Sequence, residues 1–245
     1  MAEYDASTYG ERIADVYDES PRMPPNTDAA VAFLAGIAGR GPALELGIGT
    51  GRIALPLAAR GLEVHGVDAS PAMVAKLRAK PGSERVPVTM GNFADLALGR
   101  RFSLVYVVFN TFFGLLAQDD QVRCFARVAE HLAENGVFAL EAFVPDLGRF
   151  DRGQRVGAIV VEPEVVHLEV ALHDPVRQLV RAQNVVITPH GARLYPVWLR
   201  YAWPSELDLM ARLAGLRLRE RWGGFSREPF TGESAAHVSV YERAG

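Results

Sequence analysis

Several features that are common in secreted, membrane or metal-binding proteins are missing from this 245-residue sequence. It has one cysteine, Cys124, which excludes an intrachain disulfide and is expected to lie in the core. No apolar run reaches the length needed to span a membrane. The six histidines show no spacing typical of metal ligands. The formal net charge of -3 argues against nucleic acid as a partner, because a phosphate backbone requires a basic surface.

The remaining composition is typical of a globular chain. Hydrophobic residues make up 49% of the sequence, enough for a sizeable core in one α/β domain with an inserted segment. The first five residues are acidic and polar, unlike a signal peptide, so we expect a cytoplasmic protein without a membrane partner. A homo-oligomer is a further expectation. Lysine is nearly absent, since Lys76 and Lys80 are the only two among 26 basic residues. We interpret this preference for arginine as the result of a high-GC coding sequence, and it says nothing about mechanism.

The sequence is organised around residues 43–51, an apolar strand that ends in a glycine loop. Gly47, Gly49 and Gly51 each forfeit a side chain and cost backbone entropy, which packing alone does not explain. They suit a sharp turn that lets a ligand approach the backbone closely. The helical pattern from Arg52 onward predicts free N–H groups at a helix start, which attract a carboxylate or a phosphate.

The glycine spacing and a nearby acid separate two kinds of nucleotide-binding loop. The nicotinamide fingerprint spaces its glycines G-x-G-x-x-G. This loop instead has G-x-G-x-G, with Glu45 two positions before the first glycine. The pattern resembles motif I of the class I methyltransferases, which bind S-adenosylmethionine (SAM). The resemblance implies that the loop wraps the methionine end of SAM and that Glu45 lies near its amino group.

Two further strand ends fit the same family. A strand over 62–68 ends in Asp68, an acid placed to hold both ribose hydroxyls of a nucleoside. A strand over 86–90 leads into Gly91-Asn92-Phe93, where the family has an adenine-contacting segment. We therefore predict SAM as the cofactor and no metal; the alternative is an α/β domain whose glycines serve turns alone. The candidate cofactor-binding residues are Tyr9, Glu45, Gly47, Gly49, Gly51, Asp68, Ala69, Met73, Asn92, Phe93 and Phe109.

Changes of pattern divide the chain into three parts of a predicted α/β fold. Residues 1–40 form a helical cap or lid, with a proline-rich turn at 21–25. Residues 41–147 and 203–245 form a SAM-binding core with a Rossmann-like sheet. In that core a helix over 119–134, ended by Asn135-Gly136, precedes a fifth strand. Residues 148–202 alternate β-branched runs with proline and glycine turns, which predicts an inserted antiparallel meander on the acceptor side.

Aromatic residues cluster at two places where an acceptor could bind. Tyr9 and Tyr17 lie near the start of the chain, where they either anchor a terminal helix or close over SAM as a lid. Phe112 and Phe113 follow the fourth strand, where they either wall the acceptor pocket or pack under the next helix. The candidate catalytic residues are Tyr9, Tyr17, Phe112 and Phe113.

The whole chain resembles small-molecule N-methyltransferases of antibiotic biosynthesis. The Tyr9-Gly10 and Tyr17-Asp18 pairs, the Phe109-Asn110-Thr111 loop and the meander are similar to two groups, which methylate nucleotide-linked deoxyaminosugars or lincosamide antibiotics. The tyrosine spacing and the Phe-Phe-Gly-Leu-Leu segment favour the lincosamide group. That resemblance implies active-site roles for both tyrosines and for one of the two phenylalanines. We expect a small-molecule amine acceptor; an O-methyltransferase and a non-catalytic SAM-binding module are the alternatives.

Methyl transfer to a neutral amine is an in-line displacement that needs no metal and is promoted mainly by positioning. The sequence offers no dedicated general base. His190, His237 and Glu141 are candidates to accept the amine's proton, although each histidine also suits a structural role.

Overall fold

The computed structural model describes residues 4–19 and 26–245, so the predicted turn at 21–25 lies outside the described residues. Five consecutive strands of the core run parallel to one another. Their bounds are β1 Ala43–Leu46, β2 Val64–Asp68, β3 Val88–Met90, β4 Phe102–Val107 and β5 Leu132–Phe143. Buried apolar residues form β1 and most of β4, as expected for central strands covered on both faces, whereas edge strand β3 is largely exposed.

Two antiparallel strands complete this sheet, β10 (Leu216–Trp222) and β11 (Ala236–Arg243). The strand order is β10-β11-β5-β4-β1-β2-β3. The order reverses direction beside β1, and in an open α/β sheet a ligand crevice forms outside the carboxyl ends of the strands at such a point. The predicted α/β fold with a Rossmann-like sheet is therefore confirmed.

Helices cover both faces of the sheet, and the sheet divides the core into two apolar layers. One layer contains Phe112, Phe125 and Phe138, and the other contains Leu34 and Tyr106. The single cysteine, Cys124, is buried as predicted. No helix among the described residues is long and apolar enough to cross a membrane. The helices are α1 Thr8–Ile13, α2 Thr27–Ile37, α3 Ala54–Ala59, α4 Pro71–Arg78, α5 Gln118–His131 and α6 Pro204–Leu213.

The segment between β5 and α6 forms a second sheet of four strands, β6 Gln154–Glu162, β7 Val165–Asp174, β8 Leu179–Thr188 and β9 Gly191–Arg200. The strands pair in sequence order and antiparallel, which confirms the predicted meander. A buried arginine fixes its last strand to the core. Arg200 donates to Gln121 of α5 at 2.6 Å and to Glu206 of α6 at 2.9 Å. The Gln121 amide returns a bond to the carbonyl of Arg200 at 2.8 Å.

The predicted end of the helix before β5 is wrong. Helix α5 ends at His131, and β5 already begins at Leu132, which pairs with Phe102 of β4. Gly136 therefore lies within the strand rather than at a helix end. A Cβ there would approach the carbonyl oxygen of Phe102 to 2.7 Å. This glycine permits a close approach of two backbones and does not cap a helix.

Candidate active site

The glycine loop after β1 has the backbone conformation that its sequence predicted. Gly47, Gly49 and Gly51 have φ values of 70°, 55° and 80°, in the left-handed region that side chains disfavour. A Cβ on Gly47 would also lie 2.4 Å from the methyl group of Thr111. The loop can follow this path only with glycines, and its backbone therefore comes to the surface of a cavity at the carboxyl end of the sheet.

Asp68, at the end of β2, fastens this loop to the start of α4. One carboxylate oxygen accepts the N–H of Gly49 at 2.7 Å, and the other accepts the N–H of Ser70 at 2.8 Å. Burial raises the pKa of Asp68, while these backbone hydrogen bonds oppose the rise. A carboxylate oxygen can accept more than one hydrogen bond, so Asp68 keeps acceptor capacity for a ligand hydroxyl in the cavity that it lines.

Glu45, inside β1, is a nearly inaccessible acid on the same cavity. Its side chain is 3% exposed, and the Tyr106 hydroxyl donates to it at 3.0 Å. Burial raises the pKa of Glu45 to about 8, an effect that the Tyr106 hydrogen bond and the charge of Arg52 reduce. A buried acid with so little compensation favours a cationic ligand group beside it.

These groups line one cavity of about 1700 Å³. It extends from the carboxyl ends of β1, β2 and β4 to the face of the inserted sheet that carries Ala182 and Val197. Ten of the eleven predicted cofactor-binding residues line it: Tyr9, Glu45, Gly47, Gly49, Asp68, Ala69, Met73, Asn92, Phe93 and Phe109. The predicted lid residue Tyr17 lines it as well.

Gly51 is the exception among the predicted cofactor-binding residues. It does not line the cavity, and a Cβ there would lie 3.0 Å from Leu55 and 3.1 Å from Leu77. The structure thus places the third glycine where the loop packs against α3 and α4. This geometry does not support the prediction that Gly51 allows a ligand to approach closely.

The prediction that Phe112 and Phe113 wall the acceptor pocket is wrong. Both side chains have 0% exposure, and neither lines the cavity. Phe112 packs edge-on against Phe125 of α5 at 5.4 Å between ring centroids. The two phenylalanines therefore pack under the next helix, which was the other possibility open from the sequence. Residues around them line the cavity instead, namely Thr111, Gly114, Leu115 and Phe143.

The turn that follows β4 holds two successive non-glycine residues in left-handed conformations. Phe109 and Asn110 have φ values of 57° and 61°. Such backbone is costly and needs fixed contacts to persist. The N–H of Phe109 donates to the Glu141 carboxylate at 2.5 Å, and the Asn110 side chain accepts the N–H of Phe143 at 2.7 Å. These bonds place the Phe109 ring on the cavity wall, with Arg52 5.4 Å from its centroid.

These contacts decide among the three candidate proton acceptors. Glu141 does not line the cavity and binds the turn, so the prediction that it faces the amine is wrong. Burial raises the pKa of Glu141. His237 is fully buried, and its ring is hydrogen-bonded to the Ser239 hydroxyl. Burial lowers the pKa of His237 to about 4, so this histidine has a structural role. His190 does line the cavity.

Residues 4–19 form an N-terminal strap that lines the cavity and contacts both helix α4 and the inserted sheet. Glu11 accepts the Ser70 hydroxyl at 2.7 Å and the N–H of Ala72 at 2.9 Å, at the start of α4. At the inserted sheet, Tyr4 stacks on Trp198 at 4.6 Å between centroids. The N–H of Trp198, on edge strand β9, donates to the Tyr4 hydroxyl at 3.1 Å. The strap thus bridges the cofactor end and the insertion end.

Both lysines of the chain pair with the strap, which sequence analysis missed. Lys80 contacts Asp18 at 2.6 Å, and Asp18 also accepts the hydroxyl of Thr50 in the glycine loop at 2.6 Å. Lys76 pairs with Asp15 at 2.8 Å in a more exposed position. Nothing local in the sequence marks these pairs, because their members are 61 and 62 residues apart. The lysine positions thus have structural meaning that composition alone did not reveal.

The donor end of the cavity combines a glycine loop, an acid in β1, an acid at the end of β2 and the Asn92-Phe93 segment after β3. This combination defines the cofactor site of a nucleoside-binding α/β enzyme. Among residues 4–19 and 26–245, no group of three or more His, Cys, Asp or Glu side chains is arranged to hold a metal ion.

Comparison with known proteins identifies the family. A family described as "Methyltransferase domain" matches residues 43–136. The CcbJ methyltransferase from Streptomyces caelestis is 46% identical, with 99% of this chain and 100% of that chain covered and a TM-score of 0.94. The cypemycin N-terminal methyltransferase from Streptomyces sp is 29% identical over 98% of this chain and 99% of that protein. SAM-bound CalS10, an amino pentose methyltransferase from Micromonospora echinaspora, is 22% identical and has a TM-score of 0.70. The match covers 100% of this chain and 99% of that chain, and the two proteins share the fold.

The chain belongs to the class I SAM-dependent methyltransferases, and its cofactor is SAM. The residues of the cavity fit that group. In a SAM complex, the carboxylate oxygens of Asp68 would be placed to accept ribose hydroxyls, and the buried acid Glu45 would be placed beside a cationic amino group. Gly49 leaves its backbone accessible at the cavity wall, and Met73 and Phe93 provide apolar surface for a base.

Proposed function

We propose that this enzyme transfers a methyl group from SAM to a primary or secondary amine of a small-molecule natural product. One observation carries the proposal: a single cavity runs from the SAM site to the inserted sheet, and the strap contacts both of its ends. A deep cavity between two sheets suits a small acceptor better than a macromolecule. A late lincosamide-type intermediate is the specific acceptor that the sequence resemblance supports.

Nitrogen is supported as the acceptor atom by the sequence resemblance and by a full-length relative. The name of the cypemycin enzyme assigns an N-terminal amine as its methyl acceptor. The amino pentose methyltransferase is too distant to support more than the fold. N,N-dimethylation of a nucleotide-linked aminosugar and O-methylation of a small molecule are the other outcomes that the experiment below distinguishes.

SAM supplies an activated methyl group on a cationic sulfur when it is bound. The chain's own residues exclude water and hold the amine in line, which is the main source of rate in such a displacement. Tyr9 and Tyr17 pack edge to face at 6.4 Å between centroids and present aromatic surface that suits a cation. Burial raises the pKa of Tyr17 to about 12, so its hydroxyl stays neutral and available for hydrogen bonds at physiological pH.

The amine must be neutral to attack, so its proton leaves before the transfer. Tyr17 does not take it at neutral pH, because its raised pKa favours the protonated form. Solvent near the cavity mouth is the proposed acceptor, and the side chain of His190, which lines the cavity, is a proposed relay for the proton. The lid roles of Tyr9 and Tyr17 belong to this proposal.

The test measures the methylation rate as a function of pH with a panel of natural products that carry amines or hydroxyls. Mass spectrometry follows the reaction and identifies the methylated group. We expect the rate to rise with pH until the pKa of the bound amine is passed, because only the neutral amine is a nucleophile. A flat profile from about pH 6 to 9 with chemistry rate-limiting, or a methylated hydroxyl, would contradict an amine acceptor. The cytoplasmic location and the homo-oligomeric state stay predictions, which fractionation and light scattering can check.

A further inference from the structure

The outer face of the inserted sheet, which points away from the cavity, is almost entirely apolar. Residues directly opposite one another on paired strands share a face, and so do alternate residues along a strand. Ala182 and Val197 form one such pair on the cavity face. The outer face therefore consists of four cross-strand rows: Val161–Val166–Ile187–Ala192, Ala158–Leu168–Val185–Leu194, Val156–Val170–Gln183–Pro196 and Gln154–Leu172–Arg181–Trp198. Ala192 and Trp198, on edge strand β9, also reach the cavity.

The apolar side chains of this outer face are open to solvent in the single chain. Val156 and Val161 are each 71% exposed, and Leu194 is 59% exposed. An antiparallel sheet with one solvated face usually carries polar side chains on that face. A contiguous apolar patch on a folded chain marks an interaction surface more often than an ordinary solvated one. The outer face thus has the composition of a surface that is covered in the working protein.

The charge of the outer face selects the kind of partner. Among its sixteen residues, all of which the structure describes, Arg181 is the only one with a charged side chain. Its guanidinium lies over the Trp198 ring, 5.8 Å from the centroid. A charged partner would find almost nothing to pair with here. A second uncharged apolar sheet face fits better, and another copy of this chain presents one. Two antiparallel sheets pack in this way in β-sandwiches, about 10 Å apart.

The size of the outer face suits a dimer. Its core end stops at Arg200, which is already buried against α5 and α6. Beyond that anchor, four strands and four rows measure about 19 Å by 27 Å, or roughly 500 Å² in projection. The accessible area is larger, because side chains stand above the sheet, and it approaches the roughly 800 Å² that each partner contributes to a stable interface.

The edges of the inserted sheet favour contact between faces over pairing between strands. Edge strand β6 has a bulge at Ile159, between Ala158 and Val160, and a bulge interrupts the regular ladder that a further strand would need. On the other edge, the N–H of Trp198 already donates to the Tyr4 hydroxyl. Neither edge is therefore a regular template for a strand of another chain.

We propose that this enzyme self-associates through the outer face of the inserted sheet, which packs against the same face of a second copy about a twofold axis. Such an interface is isologous, so an uncharged apolar surface meets another of the same composition. The inference goes beyond the proposed function and does not depend on it, because association can be measured without an acceptor.

The experiment measures the mass of the full-length enzyme by analytical ultracentrifugation and light scattering over a range of micromolar concentrations. We expect twice the mass of one chain, or a higher even multiple. Leu194→Glu should reduce that mass by half and raise the dissociation constant by about a hundred-fold or more, because the new carboxylate would be buried in an apolar contact. Val161→Glu, on the opposite edge strand of the same face, should have the same effect and serves if Leu194→Glu does not fold.

Leu213→Glu is the matched control, because Leu213 is 76% exposed but lies on α6, outside the outer face. It should keep the wild-type mass. Melting temperature and SAM affinity confirm that each variant is folded. A wild-type monomer at every concentration overturns the proposal and assigns the outer face to a different partner. Full association in both glutamate variants of the face, or an equal loss in Leu213→Glu, also overturns it. If the masses change as expected but no natural product is methylated, the proposed function fails and the interface stands.

Discussion

The substitution Glu45→Gln separates the stability of the cofactor site from its function. Burial raises the pKa of Glu45 to about 8, whereas a free glutamate titrates near 4. A raised pKa in the folded state means that the folded protein holds this proton more tightly than the unfolded chain does. The contribution of Glu45 to stability is therefore complete below about pH 4 and is lost as the pH rises to about 8.

The size of this loss follows from the shift. A rise from the model-peptide range to about 8 spans roughly three to four pKa units, and each unit corresponds to about 1.4 kcal/mol. Once it is fully charged, above about pH 8, the acid thus costs about 4–6 kcal/mol in the absence of SAM. Glutamine has the same shape, can still accept the Tyr106 hydroxyl and is neutral at every pH. We expect Glu45→Gln to be more stable than the wild-type protein near pH 8 and equal to it near pH 4.

The same change should weaken SAM binding, because a neutral amide no longer attracts the cationic amino group. The loss expected is about 1–3 kcal/mol, the range for hydrogen bonds to charged groups. Urea unfolding at pH 5 to 9 without SAM measures the first effect, and calorimetry with SAM measures the second. Glu63→Gln is the control, because Glu63 is exposed and the hydrogen bond from His65 lowers its pKa, so its charged form stabilises the fold.

Two results would refute this reasoning. If Glu45→Gln is less stable than the wild-type protein across the whole pH range, the carboxylate is better compensated than its burial indicates. If SAM affinity is unchanged, Glu45 does not contact the amino group, and the resemblance to motif I fails at this residue. The two outcomes are independent, because one concerns the protein without SAM and the other concerns the complex.

Three further substitutions test other contacts of the site. Asp68→Ala should weaken SAM binding by about 1–3 kcal/mol, because it leaves backbone N–H groups without their acceptor and removes the acid proposed for the ribose. Calorimetry that gives wild-type SAM affinity for a folded variant would exclude that role. Glu141→Leu should lower kcat by about ten-fold or more by releasing the Phe109 turn, whereas Glu141→Gln, which keeps an acceptor, should recover most of it in steady-state assays. Lys80→Met should speed proteolysis of the strap more than Lys76→Met does, because Lys80 alone also binds the carbonyl of Thr50, and equal cleavage rates would argue against a Lys80 clasp.

The parts of the fold that the sequence predicted are those with local signals. Buried apolar runs located the parallel strands, and alternating runs between turns located the meander. The end of α5 was misplaced because Asn135-Gly136 looks like a helix end. The real constraint on Gly136 is the neighbouring carbonyl of Phe102, which is 34 residues away in the chain. Such a contact between backbones leaves no local pattern.

The same distinction applies to the site. Glu45 and Gly47 were predicted because the cofactor loop imposes their spacing within one stretch of chain, and Asp68 was predicted because an acid ends the next strand. Phe112 and Phe113 were not placed correctly because burial of a turn depends on how α5 packs over it. The contact between Glu141 and the N–H of Phe109 depends on strand register and on a neighbour 32 residues away in sequence.

The strap has a thermodynamic consequence, because one short segment touches the cofactor end at α4 and the inserted sheet at Trp198. A ligand at either end that favours the closed strap lowers the conformational entropy that the second ligand must remove. The affinities of donor and acceptor are then linked by one coupling free energy, and each ligand strengthens the other by the same factor. Weakening the Tyr4–Trp198 stack should reduce this coupling free energy even though neither residue belongs to the glycine loop.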